Sequence, residues 1–272
     1  MAVNPSITHN GVLTETQIST LYALAHRAGQ AILEVYRDER LWQASEKSDN
    51  TPVTAADIRS SDILVSSLAE VINCPVVSEE ALPSYQERSK WPLYWLVDPL
   101  DGTREFLHKT GEFVINIALM HNHQPIFGFI YQPTIEVAWW GGMAMGAYSG
   151  KPGNVKEIKP MAMAQPLIAV GSRRSKWQGE WREKLEAQGY EVSTQAVGSA
   201  LKFARLACGE ADLYPRLGPT CEWDTAAPQA ILDATGGAIR QWDGKPLEYG
   251  KKDVLNPHFI AVGNFALLKT LV

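Results

Sequence analysis

Cysteine is scarce, at three residues in a chain of 272. Cys74, Cys208 and Cys221 are odd in number and show no C-x-x-C spacing. That pattern excludes a disulfide framework and a zinc knuckle, and leaves small buried hydrophobes suited to the inside of a cell. Positive charge is in deficit, with 25 Lys and Arg against 30 Asp and Glu and a net charge of −5. The chain therefore lacks the electrostatic footprint of a protein that grips a nucleic-acid polymer. A local pocket for a small anion is compatible with the deficit. Long apolar runs are missing too. The strongest, residues 113–120, is too short to span a bilayer, so no integral membrane segment is expected. Met1-Ala-Val-Asn-Pro-Ser6 has no basic region followed by an apolar core, so no signal peptide is expected and the cytoplasm is the default. With 21 Gly, 16 Pro and no internal repeat, collagen-like and low-complexity sequence are excluded as well.

What is present is an ordinary globular composition, 45% hydrophobic and 20% charged, in a length that suits one large domain or two modest ones. Residues 14–37 predict a helix, because Thr14 and Gln17 have capping-box spacing and Ile18, Leu21, Tyr22, Ala25, Ala28, Ile32, Val35 and Tyr36 repeat at a helical period. Residues 45–52 read as a loop, and a second helix starts near Thr54 and carries Ile58, Val65, Leu68 and Ile72. Short β-type runs follow at 75–77, 94–97, 113–120, 126–131, 135–140 and 146–149, joined by brief turns that suggest an antiparallel sheet. The Lys-, Pro-, Gly- and Met-rich segment 150–165 is the best internal boundary. Beyond it strands at 167–170, 190–195 and 211–214 alternate with helices at 177–188, 199–208 and 225–234. We therefore expect a layered α/β protein with an antiparallel-sheet α+β half at 1–155 and an α/β half at 156–272.

The most informative stretch is Tyr94-Trp-Leu-Val-Asp98-Pro-Leu-Asp101-Gly-Thr103-Arg-Glu-Phe106. A buried strand runs into two aspartates that raise each other's pKa unless a cation separates them. A hard divalent ion such as Mg²⁺ suits carboxylate and carbonyl oxygens, and Pro99 fixes the backbone so that the Leu100 carbonyl could also ligate. Two more acidic pieces follow the same logic. Val76-Val-Ser-Glu79-Glu80 ends a short apolar run in acids, and Glu222-Trp-Asp224-Thr225 places an aspartate where a helix should begin. Asp224 is there either an N-cap or a metal ligand. Taken singly, each piece is more often a turn, a cap or a solvated face.

Together, Glu79-Glu80, Asp98-Pro-Leu-Asp-Gly-Thr103 and Trp223-Asp224-x-x-Ala227 resemble, in order and approximate spacing, the inositol monophosphatase superfamily of Mg²⁺-dependent, Li⁺-sensitive phosphatases. The resemblance runs from about Thr14 to Phe259. Within the superfamily the chain is most similar to the bacterial 3′(2′),5′-bisphosphate nucleotidases, through residues 47–57, Asp98–Phe106, 111–119, 198–203 and 214–224. Arg104 stands where those enzymes more often have Lys.

The resemblance implies an α/β/α/β/α sugar-phosphatase fold and hydrolysis of 3′-phosphoadenosine 5′-phosphate to AMP and phosphate with two or more Mg²⁺ ions. It implies that Glu79, Asp98 and the Leu100 carbonyl hold one metal and that Asp98, Asp101 and Asp224 hold a second. Thr103 and Asp57 match the pair that orients and deprotonates the attacking water, although Asp57 also has capping-box spacing from Thr54. Glu79, Leu100, Asp101, Gly102, Thr103 and Asp224 would border the substrate, with the Gly102 and Thr103 amides facing phosphate at a helix start. Arg216 either receives the second phosphate, for which its guanidinium fork is suited, or pairs with Glu222 or another acid. The basic run Gly171-Ser-Arg173-Arg174-Ser175 is open between phosphate contact and a solvated loop. The rivals are inositol monophosphatase or fructose-1,6-bisphosphatase activity and, from another class, a non-catalytic phosphometabolite sensor. Cytoplasmic placement is expected, with peripheral association at the inner face of the cell membrane described for relatives. Nothing in the sequence sets an oligomeric state.

Overall fold

Thr14 and Gln17 cap the first helix reciprocally, and α1 runs from Glu15 to Arg37 with Leu21, Leu24, Ala25, Ala28, Ile32 and Val35 on its buried stripe. The computed structural model describes residues 13–42, 45–46, 52–160, 162–175 and 177–272. Within the stretch read as a loop, β1 (Ser45–Glu46) and β2 (Pro52–Val53) pair antiparallel, while residues 47–51 of the family-matching segment 47–57 lie outside the described residues. The second helix, α2 (Ala55–Ser67), starts where expected but ends at Ser67, so that Leu68 and Ile72, both buried, lie beyond it. Ile58 and Val65 are exposed, and Ala56, Asp57, Ser60, Ser61 and Leu64 face inward. Small and polar groups occupy that face because it borders the site, where Ser60 donates to the Pro99 carbonyl at 2.7 Å.

Seven strands follow in sequence order and in spatial order: β3 (Val76–Ser78), β4 (Leu93–Asp101), β5 (Val114–His121), β6 (Gln124–Gln132), β7 (Val137–Gly142), β8 (Gly146–Lys151) and β9 (Asn154–Ile158). Only β3–β4 is parallel. Two short helices, α3 (Tyr85–Arg88) and α4 (Thr103–Leu107), lie in the links before and after β4. Strand β9 occupies part of the segment read as a boundary, and its register with β8 carries the first sheet through to Ile158.

The second sheet has the order β11–β10–β12–β14–β13, built from β10 (Leu167–Gly171), β11 (Val192–Ala196), β12 (Leu213–Arg216), β13 (Ala238–Gln241) and β14 (Phe259–Val262). Its last two strands lie beyond residue 234, where the expected strand–helix alternation ends. Helices α5 (Glu180–Ala187), α6 (Leu201–Ala207), α7 (Glu222–Ala234) and α8 (Leu268–Leu271) complete the chain.

Three apolar clusters define the layers. One joins α1 and α2 to a face of the first sheet, a second packs α6 and α7 between the two sheets, and a third sets α5 and α8 on the outer face of the second sheet. The architecture is therefore α/β/α/β/α. Two sequence patterns follow from it. Strand β5 is apolar almost throughout because helices cover both its faces. Helix α7 is buried nearly all round because it lies between sheets, and the Ala227 carbonyl comes so near Gly128 of β6 that a Cβ there would sit 2.0 Å away. Among the described residues no helix is long and apolar enough to cross a membrane.

Candidate metal centre

Side chains of a strand alternate between faces, so Asp98 and Asp101, three positions apart, should point to opposite sides. The register solves this. Asp98 pairs with Asn116 and Asp101 with Val114, so β4 carries one extra residue across that interval. A bulge at Pro99–Leu100, where proline's missing N–H costs the ladder nothing, returns the second carboxylate to the face of the first. The run expected at 94–97 is longer at both ends, beginning at Leu93 and continuing in the pairing through the bulge to Asp101.

Asp224 reaches the same point from the second half of the chain. Cys221, not Asp224, is the N-cap of α7, and Asp224 stands three residues inside with its carboxylate accepting the Cys221 amide at 2.7 Å. The N-cap alternative for Asp224 is thus replaced by a capping-box partner. Pro228 accordingly lies within the helix rather than in its first turn, and it has no N–H to give the Asp224 carbonyl. Ligand oxygens of Asp98, Asp101 and Asp224 all lie within 4.8 Å of one another.

The electrostatics follow from this crowding. Burial raises the Asp98 carboxyl well above the usual carboxylate range, and the neighbouring Glu79, Asp101 and Asp224 carboxylates push the same way. Asp224 is pushed up to about 7 by burial and then by Asp101 and Glu79. Asp101 is raised by burial, against the pull of the Lys202 ammonium and the Ala200 amide, which donates to its Oδ2 at 2.5 Å. Glu79 leaves β3 with its amide on the Val97 carbonyl at 3.1 Å, so its charge is felt at both Asp98 and Asp224. Converging oxygen donors that disfavour their own ionisation suit a hard divalent cation.

Beside the acids, Thr103 Oγ1 lies 3.2 Å from Asp57 Oδ1 and 3.4 Å from the Leu100 carbonyl. Asp57 is 2% exposed, and its Oδ2 accepts both the amide and the hydroxyl of Thr54 at 2.7 Å. Capping and the contact with Thr103 therefore coexist, on different oxygens. Gly102, at φ +96°, is the N-cap of α4.

Arg216 ends β12 with its guanidinium on the Gly218 and Pro219 carbonyls, at 3.2 and 2.8 Å. It does not pair with Glu222, which holds the Lys251 ammonium at 2.8 Å and the Gly250 and Lys251 amides. Arg216 borders a cleft of about 360 Å³ that Ser172, Arg174, Ser175, Trp177 and Leu217 also line, and its charge is felt at Asp224 and Lys202.

Lys202 was not singled out in sequence. It is 5% exposed, brought down to about 8 by burial, and donates to the Val197 carbonyl at 3.3 Å. Its sequence signals are its place in the family-matching segment 198–203 and a lysine set between the apolar Leu201 and Phe203. Asn116 was missed as well. Fully buried, it donates to Asp101 Oδ2 at 3.4 Å while its own Oδ1 has no partner.

The inositol monophosphatase family model matches residues 14–269. The chain is 42% identical over 238 residues, 87% of its length and 95% of the relative's, to the 3′(2′),5′-bisphosphate nucleotidase CysQ of Escherichia coli strain K12. It is 34% identical over 259 residues, 93% of the chain and 94% of the relative, to the protein of the same description from Haemophilus influenzae. Among solved structures, CysQ from Bacteroides thetaiotaomicron superposes with a TM-score of 0.76 at 35% identity, covering 91% of this chain and 96% of that one.

Proposed function

The chain belongs to the inositol monophosphatase family, and on that premise we propose that it is a Mg²⁺-dependent 3′(2′),5′-bisphosphate nucleotidase hydrolysing 3′-phosphoadenosine 5′-phosphate to AMP and phosphate. The observation that carries this reading is the meeting of Asp98, Asp101 and Asp224 within 4.8 Å beside the hydrogen-bonded Thr103 and Asp57. Glu79, Asp98 and the Leu100 carbonyl would hold one cation, and Asp98, Asp101 and Asp224 a second. Bound divalent cations supply Lewis-acid charge to phosphoryl oxygens and a water of lowered pKa.

The chain's own residues do the rest. Thr103 turns its hydroxyl proton toward Asp57 Oδ1 and so offers lone pairs to a water on its other side. Removal of that water's proton passes through Thr103 to Asp57, which receives it at Oδ1 because Oδ2 is taken up by Thr54. The amides of Gly102 and Thr103 would face the phosphate, and Lys202 and Arg216 add positive charge beside the acids, where the second phosphate of a bisphosphate substrate would lie.

In this reading residues 1–155 carry most of the acids and residues 156–272 close the site with Asp224 and the cations. Cytoplasmic placement, carried by the cysteine usage, belongs to the same proposal. The test of the substrate assignment is Arg216→Ala. Its KM for the bisphosphate should rise more than its KM for a nucleoside monophosphate, and equal effects on both would remove Arg216 from the specificity argument.

A further inference from the structure

Glu112 lies in the link between α4 and β5, outside the acid cluster, yet its carboxylate joins two parts of the site. Its Oε2 accepts the Gly198 amide at 3.0 Å and the Arg173 guanidinium at 2.8 Å. Gly198 opens the turn that leads into α6, and this turn is pressed hard against the link. A Cβ on Gly198 would lie 2.5 Å from Glu105 Cγ and 2.9 Å from Glu112 Cβ. From the other side, a Cβ on Gly102 would lie 3.0 Å from Ser199 Cβ and 3.1 Å from the Glu112 carbonyl. Ser199 itself sits at φ +47°, a left-handed conformation that a serine keeps only when its surroundings over-determine it. This packing delivers the Ala200 amide to Asp101 Oδ2. The Arg173 end of the link holds the segment after β10, which also carries the cleft residue Arg174.

We propose that Glu112 is a positioning residue: it latches the 198–200 turn with Ser199 left-handed, so that the Ala200 amide fixes the Asp101 carboxylate for metal binding, and it ties the Arg173–Arg174 segment to the same point. Arg173 is accordingly a latch partner and not a phosphate contact. Without the Glu112 carboxylate the Gly198 amide loses its acceptor, the turn relaxes at Ser199, and Asp101 loses its fixed donor. The part concerning metal rests on the function proposed above, whereas the latch itself does not.

Two readouts separate them. Amide hydrogen exchange should accelerate in Glu112→Ala at residues 198–202 and leave β4 and β5 unchanged. Mn²⁺ binding to the metal-free chain, followed by electron paramagnetic resonance, should weaken roughly tenfold, as for other partners that orient a ligand. Glu112→Gln retains a carbonyl acceptor for the Gly198 amide and should recover most of both effects, which a loss of general stability would not do. Unchanged exchange at 198–202 overturns the latch, and unchanged Mn²⁺ affinity beside accelerated exchange overturns the positioning of Asp101. A wild-type chain that takes up no Mn²⁺ removes the metal reading instead, and amide exchange then decides the latch on its own.

Discussion

Three carboxylates that share one small volume repel each other until something positive joins them, and that strain is open to measurement. An unfolded aspartate titrates near about 3.9, whereas Asp224 here is raised to about 7 and Asp98 and Asp101 are raised too. A raised carboxyl means that the folded state holds its proton more tightly than the unfolded one. The stability it contributes is full below the unfolded value and is lost as pH rises through the folded value. The Tm of the metal-free chain should therefore fall as pH rises from about 4 to about 8, and Mg²⁺ should restore it at the upper end. Asp224→Asn should flatten that dependence and abolish phosphate release while the chain stays folded. Thermal melts across the range check this, and a metal-free Tm that climbs toward neutral pH would contradict it. At this scale the sequence was informative about identity but not about direction. Asp98, Asp101, Asp224, Asp57 and Thr103 were all legible in the motifs. The bulge that brings two of them to one face was not, because strand register depends on the partner strand. Lys202 and Asn116 stayed hidden because their roles come from tertiary neighbours.

Among the elements, α7 does most to complete the site, since it carries Asp224 and wedges between the sheets. Its depth is set by what it meets, and Gly128 leaves room for the Ala227 carbonyl. Gly128→Ala should force α7 away from β6 and destabilise the chain by about 1–3 kcal/mol, the usual range for an overpacked core. A lowered Tm together with weaker metal binding is expected, and an unchanged Tm would show that the helix is not held there. Helix α1 was legible to its cap, because capping chemistry and a helical period are local. Strand β9 was not, since its Lys- and Asn-bearing sequence reads as a linker until β8 supplies the ladder. Helix α2 shows the opposite case, since of the apolar residues read into it Leu68 and Ile72 are buried just beyond its end. Its apolar Ile58 and Val65 point outward, and its inward positions are given over to polar residues beside the site.

Across the whole molecule, the acid cluster joins a strand bulge of the first sheet to the leading turn of a helix packed between two sheets. Neither piece makes the site alone, which is why the layered fold could be anticipated from family resemblance more fully than from periodicity. The second sheet supplies Arg216 at the end of β12, and the cleft it borders opens between the ends of β10 and β12. The most direct test of the account is phosphate release from 3′-phosphoadenosine 5′-phosphate measured beside inositol 1-phosphate and fructose 1,6-bisphosphate, with Mg²⁺ and then with EDTA or Li⁺. A strong preference for the nucleotide, lost with EDTA or Li⁺, is the predicted result. Preference for either sugar phosphate, or turnover indifferent to EDTA, would contradict it.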